Sequence, residues 1–194
     1  MFLKRKHDFK PDRNEAGTLK KLYLTPIQRR KLLKWGLVSL VLLILSLLQD
    51  VVLCRVRIYG ATFDLVACGI LLCGMFFQPN TTVVFTLVSS TVYYFSGTSP
   101  GAYTIALLTG LGTLLCIFRC SYLQQRFSAI FLCAGAGMMV YEFSVFIIAW
   151  LIGITTRDRF SVFILCGLLS VAVMPLLYPI FRWIRNVGGD IWKE

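Results

Sequence analysis

Two aspartates are the first residues of this sequence that could do chemistry. Asp50 and Asp64 fall near the ends of neighbouring apolar runs, with Arg55 and Arg57 between them. Paired acids are typical of general acid/base chemistry, but the segment that joins these two is too short to build a glycosidase or protease cleft. A charge beside an apolar layer is costly unless it is paired. The sequence therefore favours structural ion pairs of Asp50 or Asp64 with one of the two arginines.

A third acid, Glu142, lies near the middle of a long apolar segment, and no basic residue is available at the same depth. A buried acid in such a place is expected to be neutral, lined by water or hydrogen-bonded to a neighbouring helix. Two hypotheses stay open for Glu142. It handles a proton or a ligand, or it is a structural acid that is protonated or hydrogen-bonded.

Other catalytic signatures are not predicted. His7, the only histidine, precedes the apolar runs, so no Ser-His or Cys-His pair can be assigned. No Gly-Lys-Ser/Thr phosphate motif occurs. The cysteines lack the spacing of zinc or cluster sites and are expected to be packing residues: Cys54, Cys68, Cys73, Cys116, Cys120, Cys133 and Cys166. We therefore expect no enzyme activity, no metal and no cofactor.

The composition predicts the elements that hold these residues. Hydrophobic residues make up 57% of the 194 residues and charged residues only 15%, and the mean hydropathy is +0.74. This balance predicts an all-α integral membrane protein, a compact bundle of about six transmembrane helices of roughly 20 residues each. The predicted spans are Trp35 to Cys54, Ala61 to Phe77, Thr81 to Phe95, Gly101 to Phe118, Ser128 to Ile152 and Phe160 to Phe181. A basic tail (1–34) precedes the transmembrane domain (35–183), and a short tail (184–194) follows it. The third span is short, so we expect it to tilt little or to borrow residues from its flanking turns.

Small residues and prolines suggest where helices pack or bend. Gly135 and Gly137 are expected to let the fifth span approach a neighbour closely. Pro175 and Pro179 each remove a backbone donor, so the last span is expected to kink or unwind there and could form a hinge.

The charge distribution predicts orientation. The net charge is +11, and eleven of the 20 Lys and Arg residues lie between Lys4 and Lys34. With six spans, sixteen of the 20 share one side, which the positive-inside rule makes cytoplasmic for both termini. The tail is expected to contact anionic lipid rather than nucleic acid. It is either a disordered segment or forms a short interfacial helix from Thr25 to Lys34, with Pro26 at its first position.

Several short motifs resemble the family of the rod-shape-determining membrane protein MreD. They are Leu47-Leu48-Gln49, Ile58-Tyr59-Gly60, Asp64-Leu65, Ser96-Gly97, Pro100-Gly101 and the closing run from Pro175 to Arg182. Two positions depart from the family pattern, because Phe63 replaces a usual proline and Tyr93 replaces a frequent acid. A different contact is therefore expected at Tyr93.

The resemblance implies a non-enzymatic scaffold of the bacterial elongation machinery in the inner membrane. Its implied partners are an MreC-like protein and a RodA-like glycosyltransferase with its transpeptidase. The alternative is the substrate-binding subunit of an energy-coupling-factor vitamin transporter, which has similar length and six spans. In that case Asp50, Asp64 or Glu142 would contact a vitamin near the outer face. A cavity lined by convergent polar groups would favour the transporter subunit, and a solidly packed bundle would favour the scaffold.

Overall fold

The residues that the structure describes form a bundle of six α-helices, as the sequence predicted. The computed structural model describes residues 26–56, 58–97, 99–122 and 127–186. The helices are α1 (Pro26–Val51), α2 (Leu65–Gly74), α3 (Pro79–Phe95), α4 (Tyr103–Tyr122), α5 (Phe127–Leu151) and α6 (Phe160–Asn186). Within these ranges no β-strand forms, apart from a single bridge between Ile58 and Ala61.

The helices run alternately up and down between two ends of the bundle. At one end, Lys34 near the start of α1 donates its Nζ to the carbonyl oxygen of Arg185 near the end of α6. At the other end, Gln49 near the end of α1 meets Val66 at the start of α2. We call these the terminal end and the loop end, because the first holds both described chain ends and the second holds the α1–α2 connection.

Four of the described helices, α1, α4, α5 and α6, are long and apolar enough to cross a membrane. Their outward faces carry large apolar side chains that in a bilayer would meet lipid. Helix α3 has 17 residues, which gives it a length of about 25 Å. It begins at Pro79 rather than Thr81, so it borrows residues from the preceding turn, one of the two expectations for this span.

The second predicted span, Ala61 to Phe77, is corrected by the structure. Helix α2 covers only the ten residues Leu65–Gly74, a length of about 15 Å, or half the apolar layer. The segments 61–64 and 75–78 on either side are not helical. Every residue of α2 is buried, so its apolar character reflects contact with other helices rather than with lipid.

The other boundaries differ at the helix ends. Helix α1 starts at Pro26, ahead of the predicted Trp35, and runs without a break into the first span. Helix α4 continues past Phe118 to Tyr122 and α6 past Phe181 to Asn186. Hydropathy underestimates the lengths of these helices, because the additional turns carry polar and basic residues. Most of the predicted basic tail, residues 1–25, lies outside the described residues, as does the end of the chain from residue 187.

Helix α6 does not unwind at its prolines, contrary to one form of the prediction. It is continuous from Phe160 to Asn186 with Pro175 and Pro179 inside it. Both prolines lie on the exposed side of the helix, whereas Leu177 and Tyr178 between them are buried. Packing of that inner face holds the helix through the missing backbone donors.

The two glycines of α5 face different neighbours. A Cβ on Gly135 would lie 3.4 Å from Val171 of α6, an ordinary contact. A Cβ on Gly137 would lie 2.4 Å from Leu115 of α4, closer than atoms can approach. The tighter approach is therefore between α5 and α4.

Candidate functional site

The start of α2 lies inside the bundle, so its backbone donors need partners from the protein. A helix leaves its first N–H groups without intrahelical acceptors, and a membrane interior offers no water to replace them. Here the Asp64 N–H donates to Ser170 Oγ at 2.9 Å, and the Val66 N–H donates to Gln49 Oε1 at 3.0 Å. The Ala67 N–H donates to Asp64 Oδ1 at 3.0 Å. Side chains from α1, α6 and the N-cap together allow α2 to begin at this depth.

Asp64 also ties this helix start to α3. The hydroxyl of Tyr93 donates to Asp64 Oδ2 at 3.0 Å, and the Tyr93 side chain is only 2% exposed. Each carboxylate oxygen of Asp64 therefore accepts one hydrogen bond. Tyr93 thereby joins α3 to the residue that caps α2.

The predicted ion pairs of the two aspartates are not formed with Arg55. Asp64 is engaged by Tyr93 and Ala67. Asp50 Oδ1 is buried without a hydrogen-bond partner among the described residues. The arginine at position 57 lies outside the described residues. At the N-terminus of α2, where the helix dipole favours negative charge, a backbone donor and a tyrosine hold Asp64 in place of Arg55.

A cavity of about 210 Å³ opens beside Asp64 at the loop end. It brings together four residues that the sequence analysis had singled out separately: Gln49, Asp64, Pro100 and Glu142. Its remaining lining consists of Thr62, Phe63, Tyr93, Val162, Phe163 and Cys166. We call it the polar cavity, because carboxyl, amide and hydroxyl groups from three helices, α1, α3 and α5, and from the 61–64 segment converge on it.

Glu142 lies on the wall of the polar cavity and is 6% exposed. Its carboxyl group receives no hydrogen bond from the residues that the structure describes. Helix α6 approaches it closely at Gly167, where an added Cβ would lie 3.4 Å from Glu142 Cγ. If Glu142 is a structural acid, it is therefore not held by hydrogen bonds from the described residues.

A second, apolar cavity of about 320 Å³ adjoins the first between α5 and α6. We call it the apolar groove. Glu142 is its only polar side chain, and the rest of the lining is Met139, Val140, Phe143, Phe146, Phe160, Phe163 and Ile164. Glu142 and Phe163 belong to both spaces. An acid without a described partner therefore stands where a polar cavity meets an apolar one.

The other predicted residues at this end lie outside the polar cavity. Gly97 follows α3 with φ +80° and donates its N–H to Tyr94, an arrangement that ends a helix. Gly101 is packed against Tyr103, whose Cε1 would lie 2.6 Å from an added Cβ. Both glycines shape the α3–α4 turn that carries Pro100 to the cavity, and neither contributes a polar group.

The end of α2 is capped as fully as its start. Thr82 Oγ1 lies 2.9 Å from the Gly74 carbonyl oxygen, and the Arg119 guanidinium donates to the Met75 carbonyl. A basic group at a helix C-terminus also suits the helix dipole. The sequence analysis missed this cap, as it missed Ser170 and Tyr93 as donors and acceptors around Asp64. A signal was present, because each is a polar side chain in an otherwise apolar segment.

The polar cavity offers carboxyl, amide and hydroxyl groups that could bind a ligand. Among the described residues, no group of three or more His, Cys, Asp or Glu side chains could hold a metal ion. The Ser170 hydroxyl donates to the Cys166 carbonyl oxygen, so it has no base beside it to activate it as a nucleophile.

In comparisons with known proteins, no family model, no curated protein and no solved structure matches this chain.

Proposed function

We propose that this protein is a non-enzymatic membrane scaffold of the bacterial cell-elongation machinery, similar to MreD, that acts in rod-shape determination and lateral peptidoglycan synthesis. The observation that carries the proposal is the convergence of the motif residues on which the resemblance rests. Gln49 and Asp64 both cap the start of α2, and Pro100 lines the same cavity. Motifs far apart in the sequence thus serve one structural unit.

In this function the bundle binds its partners through helix surfaces in the bilayer. Helix α1 presents an exposed apolar stripe, including Leu40, Leu43, Leu47 and Val51, that a partner span could cover. The partners would be an MreC-like protein with one span and a RodA-like glycosyltransferase with its transpeptidase. Van der Waals packing drives such association, because lipid is as apolar as the helices. Wall chemistry would belong to the partners.

The proposal places the protein in the inner membrane as a multi-pass protein, with both chain termini in the cytoplasm. Four described basic residues, Lys34, Arg119, Arg182 and Arg185, belong to the terminal end of the bundle or its adjoining helix ends. By the positive-inside rule this end would be cytoplasmic, and the tail before it would contact anionic lipid. Reporter fusions at residues 60 and 194 test the orientation. An active cytoplasmic reporter at residue 60 would contradict it.

The scaffold function is tested by co-purification of the C-terminally tagged, full-length protein from its native membrane in mild detergent. We expect an MreC-like protein and a RodA-like glycosyltransferase with its transpeptidase. The same experiment with Asp64→Ala should recover less of these partners, because the unit that contains the motif residues is disturbed. The control, Asp158→Ala, changes an acid in the exposed α5–α6 connection. Recovery of an ATPase pair in place of these partners would refute the scaffold.

One observation favours the second candidate, the substrate-binding subunit of an energy-coupling-factor vitamin transporter. The polar cavity is lined by several convergent polar groups, which a solidly packed scaffold does not need. Asp64 and Glu142 would then contact the vitamin, whereas Asp50 lies outside the cavity. Co-purification of an ATPase pair with a coupling membrane subunit is the result expected for this candidate.

A further inference from the structure

The polar cavity and the apolar groove are neighbouring spaces of the bundle. They share Glu142 and Phe163 as a common wall. The polar part lies at the loop end beside Asp64, and the apolar part lies between α5 and α6. A molecule that filled both parts would need a polar head and an apolar body.

The acidic groups that line the polar cavity determine which charge the polar head of the molecule must carry. Asp64 and Glu142 contribute two carboxyl groups to the lining, and none of its described residues is a lysine, arginine or histidine. Glu142 is more than nine-tenths buried and accepts no hydrogen bond from a described residue. A buried acid without a partner is costly in a membrane, and a cationic donor would supply both the missing charge and the missing hydrogen bond. An anionic head would instead meet two acids.

The apolar part is open toward the membrane. Phe143, Phe160 and Ile164 line it, and each is more than one-third exposed on the outer surface of the bundle. In a bilayer these side chains would face lipid tails. An apolar chain could therefore enter the groove sideways between α5 and α6 without crossing water.

We propose that the two cavities form one binding site for an amphipathic cation, a molecule that carries an ammonium or guanidinium group on an apolar chain. The cationic group lies in the polar cavity against Glu142 and Asp64, and the chain lies in the apolar groove. This inference goes beyond the scaffold function: the site shares Asp64 with the unit on which that proposal rests, but it binds its ligand at the α5–α6 face, whereas the scaffold's partners would cover the exposed stripe of α1. The site also restricts which vitamins the transporter candidate could bind, because an anionic vitamin would meet two acids there.

The test is equilibrium binding of radiolabelled octylamine to the full-length protein in phosphatidylcholine nanodiscs, with empty nanodiscs subtracted to remove partitioning into lipid. We expect saturable binding to one site per protein. Unlabelled octylamine should displace the label. Octanol, which has the same chain without the charge, should displace it poorly, and so should butylamine, which has the charge without the chain.

Two pairs of variants locate the site. Glu142→Gln should weaken binding about tenfold or more, the usual consequence of losing a charge-assisted hydrogen bond. Asp158→Asn removes an acid from the exposed connection and should bind as the wild type does. Ile164→Trp should fill the groove and also weaken binding. Its control, Leu168→Trp, adds the same ring to a more exposed position on α6 outside the groove.

The outcomes separate the proposal from its competitors. Equal displacement by octanol and octylamine would overturn it, because only an apolar groove would then be occupied. Binding no greater than that of empty nanodiscs, or unchanged binding in Glu142→Gln, would overturn it as well. If Glu142→Gln does not fold, the tryptophan pair at 164 and 168 decides, since both positions are on the outer surface and both changes add the same indole ring.

Discussion

Replacing Asp64 by alanine should destabilise the bundle by removing the cap on which α2 begins. The carboxylate accepts from the Ala67 N–H and from the Tyr93 hydroxyl, both at 3.0 Å. Alanine accepts neither bond. Two donors would then be left inside the bundle, where the bilayer provides no water to take over.

The magnitude follows from the cost of unsatisfied donors. Each buried donor left without an acceptor costs about 1–3 kcal/mol, but hydrogen bonds measured inside membrane proteins are weaker, with an average of about 0.6 kcal/mol. Together these values predict that Asp64→Ala lowers the free energy of unfolding by about 2 kcal/mol. Asp64→Asn should cost less than half as much, because asparagine retains an acceptor and is a good N-cap residue.

A double-mutant cycle isolates the bond between the two side chains. Asp64→Ala, Tyr93→Phe and the double variant are unfolded in mixed detergent micelles with increasing dodecyl sulfate and followed by far-UV circular dichroism. We expect a coupling energy of about 1 kcal/mol between the two positions. The control Asp158→Ala should change stability by less than about 0.5 kcal/mol. If Asp64→Ala is no more destabilising than this control, the capping argument is refuted.

Further predictions concern helix packing and the other end of α2. Gly112→Ala should lower the free energy of unfolding by about 1–3 kcal/mol, because its Cβ would lie 2.7 Å from the buried Thr86 side chain. Gly110→Ala, on the same helix with open space around it, should instead stabilise the protein by up to about 1 kcal/mol; equal effects of the two changes would contradict the packing argument. Arg119→Met should cost about 1–3 kcal/mol in the same unfolding assay, since a carbonyl group at the end of α2 loses its donor. The change Arg159→Met, in the exposed connection, should have little effect, and an equal loss there would show that the charge rather than the cap matters.

The sequence predicted the helices well because hydropathy measures the cost of placing each segment in an apolar medium. It could not distinguish a lipid environment from a protein interior, and α2 shows the difference. Leu65–Gly74 is as apolar as a span, but all of its ten residues are buried among other helices. A local signal was available, because Asp64 is a good N-cap residue and cannot lie comfortably within a span. Starting the helix at that cap would have shortened the predicted span.

The candidate site was predicted as separate residues and not as a cluster. Gln49, Asp64 and Glu142 stood out because each is polar in an apolar setting. Their convergence with Tyr93 and Ser170 depends on contacts between residues far apart in the sequence, such as the 106 positions between Asp64 and Ser170. The local periodicity of the sequence carries no information about such contacts. Arg55 was expected as a partner because it is close in sequence, and the interior supplies a tyrosine and a backbone donor to Asp64 instead.

Two carboxyl groups line the polar cavity. Helix α2 requires that of Asp64 and does not require that of Glu142. Gln49 and Ser170 accept from the first N–H groups of α2, and Tyr93 donates to the aspartate that caps it. With these groups engaged, Glu142 is the carboxyl group of the polar cavity that no described donor satisfies. Changes at Asp64 should therefore affect stability first, and changes at Glu142 should affect binding first. A variant of Glu142 that folds normally but loses octylamine would separate the two roles.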